Sequence, residues 1–203
     1  MANLGGSNLS SQTMLLGREY YQTCFGERYL VLGPLVAHII AGSAKRLLSS
    51  SSKTSKPRSL TSLLSWTGYS TTLFFLPIHY MTHRIHPTST LLPICAVGPS
   101  ELDYEFVKTG LDIWPKTSWF LYTGLLLSVT AHFTDGAILL WNTYLRNTAV
   151  VRRSFIRRMS IIVGFSLPIL TGLFVLSKEP SMIFPSFAKR FETVFMSSWI
   201  YRL

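Results

Sequence analysis

Four long apolar runs dominate the chain, and charged residues are almost confined to the segments between them. Within the third run the only interruptions are His132 and Asp135. A helix needs about 20 mainly apolar residues to cross a bilayer. The pattern therefore predicts an all-α polytopic membrane helical bundle with four transmembrane helices, at residues 24–45, 60–82, 117–142 and 159–177.

The third run contains an internal check on this interpretation. Trp119 and Trp141 are 22 residues apart, which corresponds to about 33 Å along a helix at a rise of about 1.5 Å per residue. The hydrocarbon core of a bilayer is about 30 Å thick, and tryptophan prefers its two edges. We therefore expect the two side chains to mark opposite membrane interfaces.

Residues 183–200 have a different pattern, because Lys189, Arg190 and Glu192 interrupt the apolar positions. Aromatic residues recur at four-residue spacing on one helical face, at Phe187, Phe191, Phe195 and Trp199. The segment is too charged for a fifth span. We predict an amphipathic helix that lies on the bilayer surface.

Composition and charge support a membrane protein. Only 14% of the 203 residues are charged and the mean hydropathy is +0.31, whereas soluble proteins contain about 25% charged residues. The net charge of +10 does not indicate nucleic-acid binding, because basic residues concentrate in two connections that lack acids: Lys45, Arg46, Lys53, Lys56, Arg58 in one and Arg146, Arg152, Arg153, Arg157, Arg158 in the other. This asymmetry predicts that these connections share one side of the membrane and both termini the other.

No catalytic constellation is evident in the sequence. Cys24 and Cys95 form no C-x-x-C pair, and there is no phosphate-binding loop, dinucleotide fingerprint or nucleophile elbow. We therefore expect a protein that is not an enzyme.

Two spans carry the same element, His-x-x-x-Gly, at His38 with Gly42 and at His132 with Gly136. On a helix these positions share a face, so each glycine leaves a gap beside an imidazole, the type of ligand that holds haem iron. The histidines lie about 10 Å and 15 Å below the same membrane side at helical rise, which suits one haem b between the two spans. The alternative is that both histidines are polar packing residues.

Other polar groups near the spans are further candidates. Asp135 is costly inside a bilayer and is expected to be protonated or bonded to His132 or Thr134. At the end of the second span lies a basic cluster for which we weigh a metal site against contact with lipid phosphate; it comprises His79, His83, Arg84 and His86.

Several short motifs together resemble a known family. They are Leu-Gly-Arg-Glu-Tyr-Tyr-Gln at residues 16–22, followed by Glu27, His38, Gly42 and Arg46; Gly68-Tyr69, followed by His79 and Arg84; and Tyr122, followed by His132 and Gly136. Across residues 16–142 the chain looks like the fungal mitochondrial family of the Mdm10-complementing protein. That family in turn distantly resembles the cytochrome b anchor subunits of succinate dehydrogenase and fumarate reductase.

The resemblance implies a polytopic protein of the mitochondrial outer membrane that supports lipid homeostasis and organelle morphology. It also implies a partner, because members act as a membrane receptor for a bridge-like lipid-transfer protein at organelle contacts. Three hypotheses follow: a non-enzymatic scaffold of this kind, a haem-bearing redox anchor, and a small proton-linked transporter that relays protons through Asp135 and His132.

The chain departs from the family in two respects. The family has five spans, and this sequence begins where the connection after the first span is expected. In dihaem anchor subunits the ligand pairs come from spans one and four and from spans two and five, a scheme in which His38 and His132 would not be partners. The adaptor role is associated with a Pro-x-Pro stretch, and none of the ten prolines forms one.

Overall fold

A computed structural model describes residues 2–51, 59–145 and 154–203. Within these ranges the chain is helical and contains no β-strand. The seven helices are α1 (Gly6–Tyr21), α2 (Gly26–Ser51), α3 (residues 63–85), α4 (Tyr104–Ile113), α5 (Pro115–Tyr144), α6 (Phe155–Leu176) and α7 (Pro185–Ser197). Lys53, Lys56, Arg58, Arg146, Arg152 and Arg153 of the two basic connections lie outside the described residues.

Three of these helices, α2, α5 and α6, are long and apolar enough to cross a membrane. The second predicted span is helical but differs in detail, because π turns at Thr71–Phe75 and Met81–Ile85 separate short α-helical pieces. The first π turn ends two residues before Pro77. Proline lacks a backbone N–H and crowds the preceding turn, and a local π turn is one way for a helix to accommodate this.

Helix α5 lies at the centre of the bundle and packs against both α3 and α6. Its contact with α3 is close at Gly124, where a Cβ atom would overlap the ring of Phe75. The contact with α6 includes a hydrogen bond of 3.1 Å between the hydroxyls of Thr130 and Ser166. Small and polar residues therefore let these helices approach, as is common between membrane helices.

Helix α2 packs much more sparsely than α5. No residue of Gly33–Ser51 is buried, although the segment is mainly apolar. Side-chain contacts with α3 and α5 occur along its length: Glu27 with Arg84, the His38 ring with the His132 ring, and Arg46 5.9 Å from the ring centroid of Tyr69. An apolar helix with so much uncovered surface suits a lipid environment.

A cluster of aromatic side chains, all buried except the partly buried Trp114, joins α4, α7 and the last residues of the chain. We call it the aromatic cap. It contains Phe106, Trp114, Phe191, Phe195 and Tyr201. The rings of Phe106 and Phe195 stack with centroids 4.4 Å apart.

The aromatic cap changes the interpretation of α7. The helix lies within the predicted range, but the side chains of Phe191 and Phe195 are buried in the protein and not presented to a bilayer. Trp199, the last residue of the expected apolar face, is 59% exposed. The apolar face of α7 thus packs mainly on α4. A helical period alone does not distinguish such packing from contact with a membrane.

The N-terminal helix, the connection between α3 and α5, and the C-terminal segment meet at one end of the bundle. The backbone N–H of Ser7 donates to the carboxylate of Glu179 at 3.1 Å, and Arg18 donates to the Pro99 carbonyl at 2.9 Å. Arg190 of α7 donates to the Ile94 carbonyl at 2.8 Å. These contacts fix three segments that are distant in sequence around a common core.

Candidate functional site

His38 and His132, the two predicted site histidines, lie side by side between α2 and α5. Their ring centroids are 6.0 Å apart, with an angle of 84° between the ring planes. The similar depths expected from the sequence are consistent with this pairing. It differs from the pairing of the dihaem anchor subunits, which would place the two imidazoles in different ligand pairs.

The orientation of His132 is fixed by α3. Its Nδ1 lies 3.0 Å from the carbonyl oxygen of Leu64. A carbonyl can only accept a hydrogen bond, so Nδ1 carries the hydrogen and donates it, which leaves Nε2 as an unprotonated acceptor in the neutral ring. A histidine whose other nitrogen donates to a backbone carbonyl is the arrangement commonly found in metal-ligating imidazoles.

The two glycines of the His-x-x-x-Gly elements, Gly42 and Gly136, border open space. A Cβ at Gly42 would meet nothing within 4 Å, and one at Gly136 would meet only Leu64 at 3.7 Å. The tight position is Gly68 on α3, where a Cβ would lie 2.8 Å from Cε1 of His132. Glycine is therefore required beside His132 on a neighbouring helix, and helical spacing within one helix could not reveal this.

The geometry of the histidine pair can be compared with that needed by a shared metal. Metal–imidazole bonds are about 2.0 Å long and each nitrogen lies roughly 1 Å from its ring centroid, so a metal between two imidazoles separates the centroids by roughly 6 Å. The observed 6.0 Å fits, and the open space beside Gly42 leaves the flank of α2 uncovered. If a haem were bound between α2 and α5, His38 and His132 are the residues that would hold its iron.

Asp135 is buried, with 4% exposure. The predicted partners were His132 and Thr134, but the carboxylate bonds to neither of them. Its carboxylate accepts a hydrogen bond of 3.2 Å from Arg158 on α6, and Thr134 donates to the backbone carbonyl of Thr130. The proton relay between Asp135 and His132 that the transporter hypothesis needs has no direct hydrogen bond to support it.

The basic cluster at the end of α3 is divided between two environments. The rings of His79 and His83 stack with centroids 4.3 Å apart, and Nε2 of His83 lies 3.3 Å from the hydroxyl of Tyr122. Arg84 instead points to α2, where Nε and Nη2 each donate to Glu27 at 2.6 Å. Among the described residues no group of three or more histidine, cysteine, aspartate or glutamate side chains could hold a metal ion.

No protein-family model, no curated protein and no solved structure matches the chain. The candidate site therefore depends on its own geometry.

The sequence identified His38, His132, Asp135, His79 and Arg84 as candidate site residues. It did not identify their partners Leu64, Arg158 and Glu27. The only sequence signal for Glu27 was that it belongs to the motifs shared with the resembled family. A charged residue at the edge of an apolar run otherwise usually points into solvent.

Proposed function

We propose that the chain is a four-span membrane protein in which α3 crosses the bilayer together with α2, α5 and α6. Helix α3 packs along α5, and its 63–85 range is free of acids and of basic side chains other than histidine until Arg84. Both termini then share a side with the connection between α3 and α5, which agrees with their contacts at one end of the bundle. Helix α7 belongs to this side, at the membrane interface.

Within that architecture, we propose a non-enzymatic scaffold of the mitochondrial outer membrane that acts in lipid homeostasis and at organelle contacts, with a bridge-like lipid-transfer protein as partner. The supporting observation is that separate blocks of the resemblance touch each other in space. Glu27 pairs with Arg84 at 2.6 Å, and the His132 ring contacts both His38 and Gly68. Motifs that meet in this way behave as one structural unit.

The test is deletion of the gene, followed by measurement of mitochondrial phospholipids and morphology. We expect both to change and the wild-type gene to restore them. Arg84→Gln should restore them poorly, because Glu27 is then left without its bidentate partner. Arg28→Gln is the matched control, because Arg28 is exposed and its neighbour forms the ion pair. Normal lipids and morphology in the deletion strain would refute the proposal.

A second candidate is a membrane protein that binds haem b through His38 and His132. It is favoured by the 6.0 Å centroid separation and by the Leu64 carbonyl, which holds the His132 ring with Nε2 free. A bound haem would supply one-electron transfer. The chain itself supplies the two imidazoles, the hydrogen bond that orients one of them, and a lipid-facing helix that excludes water.

The haem candidate is tested by the reduced-minus-oxidised absorption spectrum of protein purified in mild detergent with haem supplied during expression. A b-type α-band that His132→Ala and His38→Ala each abolish would support it. His79→Ala is the matched control and should keep the band, because His79 stacks on His83 away from the pair. A flat spectrum from folded protein would assign the two histidines to packing.

A further inference from the structure

A small, partly open cleft lies at the end of the bundle that holds the termini. It is formed by the last turn of α1, the end of α3 and the connection that follows α3. Its apolar wall includes Pro87, Pro99 and Leu102. Its polar lining comprises Arg18, Gln22, His83, Arg84 and Thr88. Within the described part of the chain, no acidic side chain lines the cleft.

Hydrogen-bond donors in the cleft exceed the acceptors that the protein provides. Arg18 donates through Nη1 to the carbonyls of Pro99 and Leu102, but its Nε is buried and has no partner among the residues that the structure describes. A buried donor without a partner is costly and unusual.

Two further donors beside the cleft have no protein acceptor among the described residues, although Gln22 is only half-buried and the Arg84 side chain is 30% exposed. The Gln22 side chain makes no hydrogen bond there, and Arg84 uses Nε and Nη2 for Glu27, which leaves Nη1. The ion pair with Glu27 neutralises Arg84, so the charge of Arg18 is the uncompensated one. A ligand that fits must supply several acceptor atoms and a negative charge.

We propose that this cleft binds a phosphate group. A phosphate carries negative charge and presents several oxygens in different directions, so it can accept from Arg18, Gln22 and Arg84 together. The cleft lies where the apolar part of α3 ends, at the level of lipid headgroups if α3 spans the membrane as proposed. The phosphate then belongs to a phospholipid of the adjacent leaflet, and a soluble phosphate compound is the other source of the same group.

The experiment uses the full chain in detergent and native mass spectrometry. Phosphatidic acid, diacylglycerol with the same acyl chains, and inorganic phosphate are added in separate titrations. We expect phosphatidic acid to be retained and diacylglycerol, which lacks the phosphate, to be lost. Inorganic phosphate should compete only weakly, because it lacks the acyl chains.

Charge variants at Gln22, directly after α1, test the position of the phosphate. Gln22→Glu should weaken phosphatidic acid binding at least about tenfold, since it replaces an uncharged donor by a negative charge beside the phosphate. Gln22→Lys should strengthen binding, so that a loss caused merely by altered folding is recognised. Gln12→Glu is the matched control, because Gln12 is exposed on α1, the helix that Gln22 follows, and lies outside the cleft.

Equal retention of phosphatidic acid and diacylglycerol would overturn the proposal, as would equal effects of the substitutions at Gln22 and Gln12. If inorganic phosphate binds with the same dependence on Gln22 and displaces the lipid fully, the phosphate site stands and its source is a soluble compound. Binding in detergent does not depend on the number of spans or on the cellular role. Failure here is therefore distinguishable from failure of the proposed scaffold function.

Discussion

The contact between Gly68 and His132 makes a quantitative prediction for two glycine substitutions. In Gly68→Ala the new Cβ would lie 2.8 Å from Cε1 and 2.9 Å from Nδ1 of His132, distances that real Cβ atoms essentially never show. The imidazole must move away, although it is held by Leu64. In Gly42→Ala the new methyl group meets nothing within 4 Å.

The expected magnitudes follow from two terms. Overpacking in a well-packed interior costs about 1–3 kcal/mol, and it applies only to Gly68→Ala. Replacing a helical glycine by alanine gains about 0.5–1 kcal/mol, and it applies to both variants, because both residues lie inside helices. The gain cancels in the comparison, so Gly68→Ala should be less stable than Gly42→Ala by about 1–3 kcal/mol.

The assay is equilibrium unfolding in mixed micelles, with SDS mole fraction as the denaturing variable and helix content as the signal. A second pair of measurements in a His132→Ala background forms a double-mutant cycle. There the cost of Gly68→Ala should disappear, because the ring that it displaces is absent. Equal stabilities of the two alanine variants, or a cost that persists without the imidazole, would refute the reasoning.

Three further predictions concern other contacts. Arg158→Gln should destabilise the bundle, by less than the roughly 3–5 kcal/mol seen for fully buried pairs, and Asp135→Asn in the same chain should recover part of the loss in the same micelle assay. Phe195→Ala should cost about 3–5 kcal/mol, because the ring is fully buried against Phe106; an SDS titration that matches wild type would contradict this. The pKa of Glu101 is held below its usual 4.5, chiefly by the hydrogen bond from the backbone N–H of Gly98. The stability that the ionised carboxylate contributes to the folded protein is therefore fully present above about pH 4.5. That contribution is lost as pH falls through the lowered pKa, and Glu101→Gln should show a weaker loss of stability between pH 6 and pH 3.

The sequence predicted the helical class and the position of the long apolar helices, because an uncharged apolar run of about 20 residues is typical of a membrane-spanning helix. It also predicted that His38 and His132 lie at similar depths, since helical rise converts position into depth. The partners of these residues could not be predicted. Leu64 acts through its backbone carbonyl, and Arg158 reaches Asp135 from another helix, so neither contact leaves a periodic signal.

The aromatic spacing of α7 shows a different limit of sequence reasoning. A helical period identifies one apolar face, but it does not identify what covers that face. The cover is Phe106 of α4, which the sequence places in a long connection rich in proline and acidic residues. Two amphipathic segments that bury their faces against each other give the same pattern as two segments that lie on a bilayer.

The proposed four-span architecture is tested most directly by the sides of the membrane on which Cys95 and residue 55 lie. Cys95 is exposed in the connection after α3, and residue 55 lies in the connection before it. In a Cys24→Ser background, an impermeant maleimide is applied to sealed, uniformly oriented membrane vesicles that contain the protein with Cys95 alone, or with Ser55→Cys in a Cys95→Ser chain. If α3 crosses the bilayer, only one of the two cysteines reacts before the membrane is opened. Reaction of both, or of neither until lysis, would place them on the same side and contradict the four-span architecture.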